Sequence, residues 1–153
     1  MSNGLRKFKA AMLGLGKPLG RREMNLMEMM RHEGNWQLVY ICAPYDGKDT
    51  RSLEKIWNYC MFAKEHRYMP VAPYLYYPQF MNDFDERESR IMNQFARCDI
   101  RHCEEVWVFG KEITSEMEKI LDCAQYEGLN MRCFPDWDIM LEYKDDEEDE
   151  NDE

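Results

Sequence analysis

The chain reads as an α/β domain built on an open parallel sheet with helices on both faces. Three observations predict this. Apolar runs without polar alternation recur along the chain, as expected of strands buried on both faces. Between them lie stretches whose apolar residues repeat at three- and four-residue steps. The resulting order is strand, helix, strand, helix, strand, helix, strand, which is the alternation of a parallel sheet.

The first strand is WQLVYICAPY, a continuous apolar run from Trp36 that ends at Ala43-Pro44. Asp46-Gly47 marks a loop. Thr50 to His66 reads as a helix, with Leu53, Ile56, Trp57, Cys60 and Ala63 on one face and Thr50 or Ser52 as its cap. Tyr68 to Tyr77, YMPVAPYLYY, is a second strand that its prolines shorten into a loop. Glu86 to about Cys103 is helical, with Ile91, Phe95 and Cys98 or Ala96 pointing inward. Glu105 to Phe109, EVWVF, is a third buried strand ended by Gly110. Ser115 to Glu127 is a helix capped by Ser115 and closed by Gly128, and Leu129 to Phe134 is a fourth strand. Asp136 to Tyr143 reads as a short strand or helix.

Three regions follow: a basic extension over 1–35, a folded domain over 36–143 and an acidic tail over 144–153. The first 22 residues hold six Lys or Arg and no acid, and Gly14, Gly16, Pro18 and Gly20 break regular structure there. Glu23 to His32 reads as a short helix with a methionine face, Met24, Met27 and Met30. The last nine residues carry eight acids, a run that repels itself and reads as disordered. Net charge is −10, nearly all of it in that tail.

The composition excludes several classes. Six dispersed basic residues without interleaved aromatics argue against nucleic acid. No stretch has the length of a membrane-spanning helix, and the first residues lack a long apolar segment of the kind that directs secretion. The six cysteines include no CxxC pair and read as reduced core residues of a cytoplasmic protein. The three histidines are scattered, so no metal site and no cofactor are expected. Neither GxGxxG nor a Walker A sequence is present, which argues against dinucleotide redox chemistry and NTP hydrolysis.

Ligands of open parallel sheets bind beyond the carboxyl ends of the strands. The loops there are Ala43–Thr50, Ala72–Asp85 and Gly110–Glu116. They bring Pro44, Tyr45, Asp46, Gly47, Tyr74, Tyr76, Tyr77, Phe80, Asp83 and Gly110 towards the start of a helix carrying Ser115, Glu116, Met117 and Glu118. Aromatic rings beside carboxylates suit a nucleoside: the base stacks, a sugar hydroxyl pairs with an acid, and a phosphate sits on free helix N–H groups. The bland reading of the same tyrosines is that they are core or rim residues, and of Glu116 that it is a solvated first-turn acid.

The segments YICAPYDG, YCMFAKEHRYMPVAPYLYYPQFMND and CEEVWVFGKEITSEM together resemble the nucleoside 2-deoxyribosyltransferase-like superfamily, and most closely a branch of unknown function found in bacterial and phage genomes. The resemblance spans about Val39 to Phe134. It implies a flavodoxin-like, Rossmann-like three-layer sandwich with a mostly parallel sheet of four to five strands. It also implies cleavage or transfer at the N-glycosidic bond of a nucleoside or nucleotide by an attacking glutamate, and a homodimer in which a neighbour completes the pocket.

The chain departs from that branch at several ligand-facing positions. Aligning Met117, Ala124 and Gly128 with the pattern puts Ile120 at the nucleophile position and Glu116 where glycine is usual. Ser52 stands for an asparagine, Tyr74 for a histidine and Met92 for a glycine. An isoleucine cannot attack an anomeric carbon. Glu116, one turn before Ile120 on the same face, and Glu118 are the remaining carboxylates for catalysis. The expected function is a nucleoside- or nucleotide-binding protein that lacks the usual nucleophile. The alternatives are an active N-glycosidic bond hydrolase or deoxyribosyltransferase using Glu116 or Glu118, with Asp46 or Asp83 orienting the sugar, and an interaction protein acting through its charged ends.

Overall fold

The computed structural model describes residues 26, 27, 30, 34–47 and 49–135. The elements run β1 (Gln37–Cys42), α1 (Thr50–Glu65), β2 (Tyr68–Val71), two single 3₁₀ turns (Pro73–Leu75 and Tyr77–Gln79), α2 (Glu86–His102), β3 (Glu105–Phe109), α3 (Ser115–Tyr126) and β4 (Asn130–Phe134). The four strands form one sheet in the order β2-β1-β3-β4, and every pair is parallel. This is the order of the first four strands of the flavodoxin-like arrangement. In register, Tyr40 lies beside Val71 and Val106, and Val106 lies beside Met131.

The apolar runs become the central strands because both of their faces are covered. Val39, Ile41, Trp107 and Phe109 point to one side, where α1 brings Ile56, Tyr59, Phe62 and Ala63. Tyr40, Cys42, Val106 and Val108 point to the other, where α2 brings Ile100 and α3 brings Met117, Ile120, Leu121 and Ala124. Full burial of each large apolar side chain contributes roughly 1.5–3 kcal/mol. The result is three layers, with α1 alone on one face and the α2–α3 pair on the other.

The three helices start at Thr50, Glu86 and Ser115, as the sequence predicts, but the caps of the first and third differ from the residues expected. Asp49, not Thr50 or Ser52, caps α1: its carboxylate accepts from the Arg51 N–H at 2.9 Å. The cap must keep extended backbone, and Asp49 does, whereas Thr50 is already helical. Ser52 instead donates to the carbonyls of Asp46 (3.1 Å) and Asp49 (2.7 Å) and pins the β1–α1 loop. Thr114, not Ser115, caps α3, accepting from the Met117 N–H at 3.2 Å. Asp85 caps α2 through the N–H groups of Arg87 and Glu88.

The inward face of α2 also differs. Phe95 and Cys98 are exposed, Ile91 is half-buried, and Ile100 is the buried residue of that helix. The helix turns a small and polar face towards the sheet, so apolar periodicity points the wrong way there. The second strand stops at Val71, and the tyrosine-rich remainder folds into the two 3₁₀ turns. Gly110 ends β3 at φ +94° and Gly128 follows α3 at φ +76°, a region that glycine enters without steric cost.

Leu26, Met27 and Met30 are helical and exposed, in keeping with a short helix before β1. The rest of that helix, the basic segment 1–22, the element expected over 136–143 and the tail 144–153 lie outside the described residues. No helix among the described residues is long and apolar enough to cross a membrane.

Candidate functional site

A cavity of about 930 Å³ opens on the α2–α3 face of the sheet. Its position follows from topology. β1 and β3 are neighbours, but the chain leaves β1 for one face and β3 for the other, so their connections diverge and leave a crevice. Along α2 the lining runs from Ser89 to Arg101, roughly 18 Å at 1.5 Å per residue. Small and polar side chains, Ser89, Asn93 and Ala96, leave the space between α2 and the sheet unfilled there.

The mouth is aromatic and acidic. Tyr45 and Tyr74 stack with ring centroids 4.7 Å apart and planes 22° apart. Asp46 and Asp83 line the same opening. A Cβ added at Gly47 would lie 3.4 Å from the Tyr45 hydroxyl and 3.6 Å from Asp83 Oδ2, so the bare backbone here leaves the phenol and the carboxylate facing shared space. Burial raises the Asp83 carboxyl above the usual range. Burial, followed by the charges of Asp83 and Asp46, raises the Tyr45 phenol.

The floor is phenolic. Tyr40, on β1, is fully buried and its hydroxyl has no hydrogen-bond partner among the described residues. The Tyr74 hydroxyl lies beside it, at the margin of hydrogen-bonding geometry. Burial is the main cause that raises both phenols, so both remain protonated donors at neutral pH. Tyr77 differs: its hydroxyl donates to Asp99 Oδ2 at 2.8 Å, which commits it to the wall.

The opposite wall is α3. Ile120 lines the cavity and is also part of the core with Met117, Leu121 and Ala124. Glu116 lines the cavity one turn earlier, mostly exposed, with Lys119 Nζ 3.7 Å from its Oε2. At the far end Arg101 Nε meets Glu127 Oε1 at 3.2 Å, and Arg97 shares the surroundings of Cys123 with it.

Of the residues singled out in the sequence, Tyr45, Asp46, Gly47, Tyr74, Tyr77, Asp83, Glu116 and Ile120 converge on this cavity. Others lie elsewhere. Pro44 packs behind the mouth against Gly110. Met117 is in the core, and Ser115 is exposed on the first turn of α3. Glu118 is not on the cavity wall: two residues after Glu116, it projects roughly 200° around the helix axis. Met92, marked in the sequence as a ligand-facing departure, also lines the cavity, but the rest of the α2 wall and the cations Arg97, Arg101 and Lys119 were missed. The spacing Ser89, Met92 or Asn93, Ala96, Ile100 carried the signal, as a stripe at three- and four-residue steps.

The six cysteines are free thiols. Cys42, Cys103 and Cys133 are buried as expected, whereas Cys98 is exposed. Burial pushes the Cys60 thiol up to about 11 and those of Cys103 and Cys133 to about 12, which keeps them unreactive at neutral pH. Among the described residues no group of three or more His, Cys, Asp or Glu is placed to hold a metal ion.

No curated protein matches the chain. Residues 37–134, nearly two thirds of it, span every strand and helix of the sheet domain and match one family throughout. The chain belongs to that family, described as Domain of unknown function (DUF7768).

Proposed function

We propose that the cavity binds a nucleoside or nucleotide and that the protein performs no N-glycosidic chemistry at the α3 position where the superfamily attacks. The reading places the chain in the nucleoside 2-deoxyribosyltransferase-like superfamily. One observation carries it: the stacked Tyr45–Tyr74 pair stands beside Asp46 and Asp83 at the carboxyl ends of parallel strands, while the facing wall presents aliphatic Ile120. Rings of that kind hold a base, and carboxylates accept from sugar hydroxyls. A hydrocarbon in the wall offers shape but neither nucleophile nor charge to an oxocarbenium-like centre. The ligand is a small molecule, and the protein acts as a binder or sensor of it.

The test has two parts. Mass spectrometry of small molecules retained by the purified protein is expected to find a nucleoside or nucleotide. Incubation with deoxynucleosides and their monophosphates is expected to release no free base. Retention of an unrelated ligand class defeats the binding reading.

A second reading rests on Glu116, the one candidate carboxylate of α3 that lines the cavity. It sits on the first helical turn, where the dipole favours the ionised form needed for attack. Base release that is lost in Glu116→Gln establishes this reading and ends the first. Interaction through the charged ends concerns residues outside those described.

A further inference from the structure

In an open parallel sheet a phosphate ordinarily sits on free N–H groups at a helix N-terminus near the strand tips. The three helices α1, α2 and α3 each carry a side-chain cap, and the first turns of two of them add acids. Asp49 caps α1. Asp85 caps α2, whose first turn adds Glu86 and Glu88. Thr114 caps α3, whose first turn adds Glu116 and Glu118. The cavity mouth repeats the pattern, because Asp46, Asp83 and Glu116 all line it.

The cations of the lining do not reverse this. Lys119 lies against Glu116 at 3.7 Å and Arg101 against Glu127 at 3.2 Å. Arg97 lies farther down α2, in a stretch of wall that also holds Asp122 and Glu127. The floor offers a neutral donor instead. The Tyr40 hydroxyl, buried on the same lining, makes no well-aligned hydrogen bond among the described residues, and the Tyr74 phenol lies beside it.

We infer that the site selects an uncharged nucleoside over its phosphorylated form. The mouth carboxylates accept from sugar hydroxyls or an amino group, the Tyr40 phenol donates to a carbonyl oxygen or ring nitrogen of the base, and a dianionic phosphate is repelled by Asp46, Asp83 and Glu116. Like charges brought to one partly screened opening disfavour binding of a further anion unless a cation intervenes. The inference rests on the nucleoside reading of the cavity and goes beyond it by excluding the phosphate.

Titration calorimetry on the full chain tests it, with deoxyadenosine, deoxyguanosine, deoxycytidine and thymidine and the monophosphate of each. The best nucleoside is expected to bind about tenfold tighter than its monophosphate at low salt, a modest electrostatic penalty at a partly screened opening. Raising the salt concentration shrinks the gap in the unmodified protein, and Glu116→Gln shrinks it at constant salt. A monophosphate that binds as tightly as its nucleoside, or tighter, overturns the inference and leaves the nucleoside reading standing. A gap that neither salt nor Glu116→Gln moves overturns its electrostatic cause. Binding of no compound in the panel defeats the underlying reading, and the selectivity with it.

Discussion

The two faces of the sheet are built to different ends. On the α1 face, Tyr59 stacks on Phe109 at 4.0 Å, Phe109 stacks on Phe134 at 5.0 Å, and Phe62 fills the corner against Trp107 and Phe134. On the other face, α2 contributes one fully packed side chain, Ile100, and stands off to leave a cavity of about 930 Å³. One sheet thus carries a closed aromatic face that supplies stability and an opposite face that gives up packing to make room. The cost of that room is borne by the aromatic layer, since voids forfeit the dispersion contacts that close packing provides.

Breaking the closed face should have the largest effect. Phe62→Ala removes a ring that touches three other aromatics and should cost about 3–5 kcal/mol in chemical denaturation. Filling the open face should do the opposite. Ala96→Leu projects into the cavity, so it should abolish binding of the proposed nucleoside ligand while changing stability by under about 1.5 kcal/mol. A large stability loss in that variant would mean that Ala96 is packed core rather than cavity wall.

Smaller effects belong to the rim. Glu116→Gln breaks only a loose pair between two exposed side chains, so the unfolding free energy should change by under about 0.5 kcal/mol. Asp83→Asn tests the electrostatics of the mouth. Burial holds the folded-state pKa of Asp83 above its unfolded value, so the folded form binds the proton more tightly. Wild-type stability therefore falls as pH rises through the interval between the two values, and the penalty is complete above the folded one. The asparagine variant should be the more stable protein at neutral pH, by under about 0.5 kcal/mol after solvent screening, and the advantage should vanish below about pH 3.9. A ligand-free unfolding series across pH measures it.

The same contrast explains what the sequence disclosed. The central strands were legible because burial on both faces leaves unbroken apolar runs, VYIC in β1 and EVWVF in β3. Helix α1 was half legible: Ile56 and Ala63 lie on the stripe that periodicity marks, but Trp57 of that stripe is exposed and the buried Tyr59 and Phe62 lie outside it. Helix α2 was not, because a cavity wall is lined by residues such as Ser89, Asn93 and Ala96 that hydropathy ignores, while its larger Phe95 faces out. The mouth was half legible: the strand-end loops pointed to Tyr45, Asp46, Tyr74 and Asp83. Their convergence with Glu116 and Ile120 depends on how far α2 and α3 stand apart, which no local pattern encodes. The choice between Glu116 and Glu118 turned on helix rotation, and the first turn begins one residue beyond Thr114 rather than beyond Ser115.

The most direct measurement compares chemical denaturation of the wild-type chain and Ala96→Leu, each with and without a saturating nucleoside. A ligand that binds only the folded state raises stability by an amount set by its concentration relative to Kd, about 2.7 kcal/mol at a hundredfold excess. Stabilisation of the wild-type chain that disappears in Ala96→Leu is the predicted result. Equal stabilisation of both proteins would put the ligand outside this cavity, and stabilisation of neither by any nucleoside would contradict the account.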